Sequence, residues 1–465
     1  MTVNRCLGAV SGALALALVG CGGGTHCIEG SSQACSCTDG RTGAQVCNAS
    51  GTFDACVCGG PSTDASMADA SIDPTTDAPI STFDSAVPDA AVVDAASECA
   101  VGAACECAGG VLGYCEGAGC VCDPGPVPCA QDVDWLFLVD TSNSMAEEQI
   151  VLANEIPRLV RVLASGDANG DGMRDFTPVR SLHLGVVTPD LGVGAAASVP
   201  TCDSGPGDDG ILQRTGTGCA SPHPSGVFEF MPGGATTPDA FAASFACVAQ
   251  AGTGGCGFEQ QLEAPLRALS PSAPTAWTRE GYVPPTFRDG SFGHALDANA
   301  GFLRDESVLA ITLVTDEEDC STNEADLYLT EGRFPGPLNL RCTTYADTAL
   351  LPVSRYVDGL LGLRTHPGLL VFSAITGVPD RSFADYDAML ADPEMGYRVN
   401  EMGTNVEPSC TGASGVAFPA RRMVEVARDL DRAGVQTSVS SICASSYETA
   451  VSDIVRALIT ARGSC

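Results

Sequence analysis

Four continuous apolar runs constrain this chain more than anything else in its sequence: VDWLFLVD at 133–140, LHLGVVT at 182–188, SVLAITLVTD at 307–316 and GLLVFSAIT at 368–376. A strand with one face in water alternates apolar and polar residues, whereas a run without alternation is buried on both faces. Between and after these runs lie stretches with the period of amphipathic helices: EEQIVLANEIPRLVRVLA, FEQQLEAPLRAL, DTALLPVSRYVDGLLGL, ARRMVEVARDLDRA and YETAVSDIVRALITA. The pattern predicts an α/β domain over residues 127–465, with a mostly parallel central sheet flanked by helices in a Rossmann-like arrangement. In such sheets ligands sit beyond the carboxyl ends of the strands. The residues that directly follow each run are therefore the first candidates for a site.

Residues 1–126 are of a different kind. The chain has 24 cysteines; setting aside Cys6 and Cys21 leaves 22, an even number (24 − 2 = 22). Cys27, Cys35, Cys37, Cys47, Cys56 and Cys58 give the order C…C-x-C…C…C-x-C within residues 22–58. Cys99, Cys105, Cys107, Cys115, Cys120 and Cys122 repeat that order within 99–126. Both segments are rich in Gly and Ser and too poor in large apolar residues to bury a core, so disulfide staples are expected. The C-x-C spacing and the lack of histidine among these cysteines argue against zinc. Between the two copies, residues 59–98 form an expected disordered linker. Positions 59–97 carry seven aspartates, four prolines and no basic residue, a composition that cannot bury enough apolar surface to order itself. As a coil it spans on the order of 35 Å.

The N-terminus reads as a targeting segment, residues 1–21. Arg5 precedes the apolar run LGAVSGALALALVG, which is too short to span a bilayer comfortably. It ends in Leu18-Val19-Gly20-Cys21, which resembles the lipobox of bacterial lipoproteins. That resemblance implies acylation of Cys21 and a lipid anchor in the cell envelope. The residues after Cys21 are GGGTH; the aspartate that marks inner-membrane retention in that family is absent, so the expected location is the outer membrane of a Gram-negative bacterium. The cysteine-rich, aspartate-tethered layout resembles lipoproteins of myxobacteria. Elsewhere, a net charge of −34 argues against nucleic acid and anionic membrane surfaces as partners.

The first apolar run stops at Asp140, and DTSNS places Asp140, Ser142 and Ser144 at alternate positions. A loop leaving a strand can turn such side chains to one spot, and a carboxylate with two hydroxyls offers hard oxygen donors to Mg²⁺ or Ca²⁺. Asp-x-Ser-x-Ser after a first apolar strand resembles the metal-ion-dependent adhesion site of von Willebrand factor type A domains. The resemblance implies a further metal-binding aspartate after a later strand, which falls on Asp316, and a threonine before the third helix. In the matching stretch, GTGGCGFEQQLEAPLRAL, Cys256 stands where the threonine is expected, and Glu317 stands where the family has a glycine after the aspartate. Thr253 and Glu259 are the residues near enough in sequence to compensate. The competing reading of the motif is a strand-to-helix turn in which Ser144 caps the helix that follows.

A second candidate is DANGDGMRD. Asp167, Asn169, Asp171 and Asp175 occupy positions 1, 3, 5 and 9 of an EF-hand-like loop, with Gly172 for the sharp turn and Pro178 where position 12 would place a glutamate. Calcium there is expected to be structural. The cysteines of the large domain are Cys129, Cys202, Cys219, Cys247, Cys256, Cys320, Cys342, Cys410, Cys443 and Cys465. A clasp between Cys129 and Cys465 would join the domain's ends; neighbour pairing (202 with 219, 247 with 256, 320 with 342, 410 with 443) is expected for the rest. None of the five histidines lies in a nucleophile or zinc motif, so no enzyme is expected. The function expected from the sequence is cation-assisted binding of a protein or other acidic ligand. A structural envelope protein with a degenerate metal site and, more remotely, a secreted hydrolase are the alternatives.

Overall fold

A computed structural model describes residues 127–463 apart from 195–198, 200–201, 203–204, 330–331 and 414, together with short segments between 32 and 121. Residues 1–31 with Cys21, the linker at 59–98, and Cys465 lie outside the described residues. In the N-terminal part, β1 (Ser32–Ser36) and β2 (Thr42–Val46) form one hairpin, and β3 (Ala104–Glu106), β4 (Leu112–Glu116) and β5 (Gly119–Val121) form a small antiparallel sheet. Cys35 stands opposite Gly43 in the first and Cys105 opposite Gly113 in the second. The cysteine pairing of these segments lies outside the described residues.

The large domain is built on β6 (Asp132–Val139), β7 (Ser181–Val187), β8 (Phe228–Phe230), β9 (Ser307–Val314), β10 (Leu370–Thr376) and, after the short hairpin of β11 (Cys410–Thr411) and β12 (Val416–Ala417), β13 (Gln436–Ser441). The sheet order is β13-β10-β9-β6-β7-β8, and every pairing is parallel except that of β7 with β8. This mixed, mostly parallel sheet is compatible with a Rossmann-like fold: the chain lays strands outward from β6 in one direction, then returns to β6 and continues in the other. The four expected runs are the four central strands. β13 escapes the sequence pattern because VQTSVSS is polar and mostly half-buried at the sheet edge, and β8 because it has only three residues.

Burial on both faces is visible within β6 itself. Trp135, Phe137 and Val139 pack on one side with residues of α1 (Ala146–Ser165), α2 (Pro238–Val248) and α9 (Glu448–Ala461). Leu136 and Leu138 pack on the other with α3 (Glu263–Leu269), α6 (Val353–Leu361) and α8 (Arg421–Arg432). The remaining helices, α4 (Leu338–Thr344), α5 (Ala346–Ala349) and α7 (Tyr386–Leu390), lie in the connections. Two expected helices are shorter than their periodicity suggests. Residues 258–262 do not coil, because their backbone is committed elsewhere: Gln260 N donates to Pro189 O at 3.0 Å and Leu262 N to Asp319 Oδ1 at 2.9 Å. The run at 347–363 breaks into α5 and α6 at Leu350–Pro352, since the residue before a proline is pushed out of the helical region. No described helix is long and apolar enough to cross a membrane.

The end of the sheet opposite the candidate site is closed by charge. Asp134, fully buried, accepts from Arg304 Nε at 2.7 Å and Arg304 N at 2.8 Å, and from the Ser307 hydroxyl. Arg364, also fully buried, lies 3.5 Å from the same carboxylate and donates to Ser307 O and Ser307 Oγ. Burial lowers the Arg364 guanidinium to about 10 against the pull of Asp134.

Two of the expected disulfides, Cys320–Cys342 and Cys410–Cys443, are formed. The other two expected pairs are not: the bonds are Cys202–Cys256 and Cys219–Cys247. Sequence proximity misleads here because α2 carries Cys247 back against the loop of Cys219, where Thr217 N donates to Gln250 O at 2.8 Å. Cys256 is thereby left to the loop after β7. Cys129 is disulfide-bonded; its expected partner, Cys465, is not among the described residues. The two chain ends do meet, with Ala130 N donating to Arg462 O at 3.0 Å.

Candidate metal centre

β6 is the strand at which the direction of sheet growth reverses, with β7 on one side and β9 on the other. Connections leaving β6 and β9 diverge there and open a crevice beyond their carboxyl ends. Asp140 follows β6 and Thr315 and Asp316 follow β9, so the fold brings the two expected aspartates to one place. Asp140 N donates to Val314 O at 3.0 Å, and Phe418 N to Asp316 O at 2.8 Å, which fixes both connections.

The Asp140 side chain is fully buried. Its Oδ1 accepts from Ser142 N at 2.7 Å and its Oδ2 from the Thr315 hydroxyl at 2.5 Å. The Ser142 and Ser144 hydroxyls stand 3.0 Å apart, both side chains buried. Ser144 does not cap the helix: it lies inside a short 3-10 turn (Asn143–Met145), and α1 begins after Met145 with no side-chain cap. The capped-turn reading is therefore set aside. The serines instead face each other beside two buried carboxylates.

A third segment, residues 252–262, crosses the same end of the sheet. Gly255 N donates to Thr141 O at 2.9 Å, and a Cβ on Gly255 would meet the Thr141 hydroxyl at 2.0 Å, so only glycine allows this approach. Gln149 ties the two loops from α1, donating to Asp140 O and Gly252 O and accepting from Gly252 N. Of the two residues considered as compensation for Cys256, the structure brings in one. Glu259 is 2% exposed; its Oε2 accepts from Gln261 Nε2 at 3.0 Å, and the same nitrogen lies 3.2 Å from Thr315 Oγ1. Thr253 makes no hydrogen bond to Asp140, Ser142 or Ser144 among the described residues. Cys256 is buried in its disulfide and offers no hydroxyl.

The cluster is larger than the sequence suggested. Glu148, in the first turn of α1, and Glu317 join Asp140, Glu259 and Asp316, and no arginine or histidine forms an ion pair with any of the five among the described residues. Desolvation and then the negative charge of Asp140 hold Glu259 and Asp316 well above the carboxylate range. Glu317 is pushed up to about 8 for the same two reasons, and Glu148 to about 8 mainly by desolvation. Glu318, next along, is raised by desolvation to about 7, opposed by the hydrogen bond from Tyr397 OH at 2.5 Å. Sequence reading could have flagged Glu317 and Glu148 only as acidic residues close to the motif; nothing in one sequence says that they are buried.

Three carboxylate oxygens of this group, Asp316 Oδ1, Glu259 Oε1 and Glu148 Oε2, are buried with no hydrogen-bond partner. Buried, unpartnered negative charge is costly; the protons that these raised values retain relieve it, and a divalent cation with oxygen ligands would do so in their place. The residues present thus fit such an ion: Asp140, Ser142, Ser144, Asp316 and Glu259 would hold it. Among the described residues no three His, Cys, Asp or Glu side chains are already gathered as a ligand cage, so the carboxylates of Asp140, Asp316 and Glu259 would have to close in around the ion.

In the metal-free protein these raised values have a consequence for stability. A carboxyl whose folded pKa lies above its ordinary value of 4.5 favours folding in its protonated form. That contribution is complete below about pH 4.5 and is lost as the pH rises through about 7–8. The melting temperature of EDTA-treated protein should fall between about pH 5 and pH 8, and saturating Mg²⁺ should flatten the slope. A metal-free melting temperature that is level or rising over this range contradicts the electrostatic account.

A cavity of about 160 Å³ opens beside the cluster, lined by Ser142, Glu259, Glu317 and Glu318 and by apolar Phe258, Leu338 and Phe418. Cys256, Cys320 and Cys342 staple the connections around it. The 167–175 loop is elsewhere, at the far end of α1, a 20-residue helix about 30 Å long. There Asp167 accepts from Gly170 N and Gly172 N, Asn169 from Asp171 N, and Asp175 from Ala168 N, all at 2.7–2.9 Å. Gly170 and Gly172 adopt φ of 77° and 85°, as the sharp turns require. The expected loop is thus formed around its own backbone, with Asp171 and Asp175 exposed and Asp167 half-buried. No family model matches the chain, and no curated protein matches it.

Proposed function

We propose that the chain is an exported, lipid-anchored envelope protein whose large domain is of the von Willebrand factor type A kind and binds a partner through a divalent cation at Asp140, Ser142, Ser144 and Asp316. The observation that carries this reading is the meeting, at the point where strand order reverses, of two hydroxyls and two aspartates with buried carboxylate oxygens left unpartnered. The cavity beside the cluster supports a ligand that inserts a side chain or a small molecule into a recess. Binding, not catalysis, is the proposed activity. Calcium at Asp167, Asn169, Asp171 and Asp175 is proposed as a structural ion. The rival, a structural protein whose metal site has decayed, draws on the loss of a hydroxyl at Cys256; Glu259 answers it by bringing an oxygen donor to the same cluster.

Affinity capture from envelope extracts tests the proposal. Wild-type protein should retain a partner in Mg²⁺ and release it in EDTA, and Asp140→Ala should retain none. Equal capture by both proteins, with or without EDTA, would remove the metal from the account.

The anchor is tested separately. Cys21→Ser should leave the protein unprocessed or release it from the membrane fraction, with loss of the acyl mass. Unchanged mass and unchanged membrane attachment would end the lipoprotein proposal.

A further inference from the structure

We infer that Glu259 supplies, from within the chain, the anionic oxygen that a hydroxyl-only cation site leaves to its partner, and that the cavity beside it takes a neutral or positively charged group in place of a carboxylate. The inference rests on the reading of the Asp140 cluster as a cation site and adds to it the identity of a ligand and the class of partner.

Three observations support it. First, Glu259 is placed by construction. Its segment is pinned by Cys202–Cys256, by Gln260 N on Pro189 O at 3.0 Å, and by Cys320 N on Glu259 O at 2.9 Å. Second, its carboxylate is divided between two tasks. One oxygen accepts from Gln261, whose amide also reaches Thr315, the donor to Asp140. The other oxygen is buried with no donor to accept from, in a side chain that lines the cavity and lies against the carboxyl of Asp140. A fold does not leave a desolvated carboxylate oxygen beside Asp140 and Asp316 without a cation or a proton to share.

Third, the charge count disfavours an incoming anion. Asp140, Asp316 and Glu259, ionised around a divalent ion, together exceed its two positive charges. Among the described residues no arginine or histidine lines the cavity. A site whose anionic ligands are aspartates alone, with hydroxyls for the rest, would remain electron-poor and attract a partner's carboxylate. This one is saturated by its own chain. An ammonium or guanidinium on an apolar stem matches what surrounds it: acidic groups near the cluster, and Phe258, Leu338 and Phe418 along the walls.

The test is calorimetric titration of the full chain with Mn²⁺, in an Asp171→Ala background that silences the 167–175 loop. Acetate and n-butylammonium serve as probes of partner charge. The expected results are Mn²⁺ binding that acetate does not strengthen, and n-butylammonium binding that acetate does not displace. Glu259→Gln, which keeps the shape and removes the charge, should weaken Mn²⁺ roughly tenfold or more. Glu259→Thr should weaken Mn²⁺ likewise and make its binding acetate-dependent. If Glu259→Gln binds Mn²⁺ as the parent does while Asp140→Ala does not, the inference fails and the cation site stands. If acetate strengthens binding in the parent as much as in Glu259→Thr, or n-butylammonium does not bind, the partner class is wrong. If the parent binds no Mn²⁺, or binds it independently of Asp140, the cation site itself fails and the inference with it.

Discussion

Asp134→Ala should lower the stability of the folded protein by about 3–5 kcal/mol, the cost of leaving a buried charge without its partner. Asp134 and Arg364 are both fully buried, so water cannot replace the lost carboxylate. Arg304 would lose its bonds to both carboxylate oxygens, while Arg364 would keep its contacts to Ser307 and Leu363 and its place over the Trp277 ring. Asp134→Asn, which keeps the shape without the charge, should lie between wild type and alanine. Chemical or thermal denaturation reads both, with a fall in melting temperature on the order of 5–10 °C for the alanine variant. A loss under about 1 kcal/mol would mean that the pair is dispensable, as replaced buried ion pairs sometimes are. The position is of interest because it is far from the proposed site, at the opposite end of β6. Partner capture by whatever fraction remains folded should therefore be intact.

The sequence disclosed the centre of the sheet and hid its edges for one physical reason. Central strands are buried on both faces and so are written in uninterrupted apolar residues, as in VDWLFLVD. Edge strands are half-wet: β13 reads QTSVSS, which composition alone cannot tell from a loop. Helix α2 was missed although Thr237 caps it, accepting from Ala240 N at 3.2 Å, and Pro238 opens it; its start signals are clear, but its small, mostly apolar residues show little contrast between faces. The site was half legible. Asp140, Ser142, Ser144 and Asp316 are recognisable because their spacing follows strand ends. Glu148, Glu317 and the bridging Gln149 and Gln261 are not, since their roles come from tertiary burial and from contacts across more than fifty residues. Disulfide partners followed spatial neighbours, and for Cys202, Cys219, Cys247 and Cys256 these give a nested pairing, 202 with 256 around 219 with 247.

The most direct test of the account is thermal unfolding of three proteins against metal, because anything that binds only the folded state raises its melting temperature by mass action. At one hundred times Kd the gain is about 2.7 kcal/mol. Wild-type protein should be stabilised by Mg²⁺ and by Ca²⁺, with titration carried to millimolar concentrations. Asp140→Ala should lose the Mg²⁺ effect and keep the Ca²⁺ effect that belongs to the 167–175 loop. Asp171→Ala should lose most of the Ca²⁺ effect and keep that of Mg²⁺. A wild-type protein that neither Mg²⁺ nor Ca²⁺ stabilises through Asp140 would contradict the central claim, and Asp140, Ser142 and Ser144 would then be no more than the turn between β6 and α1.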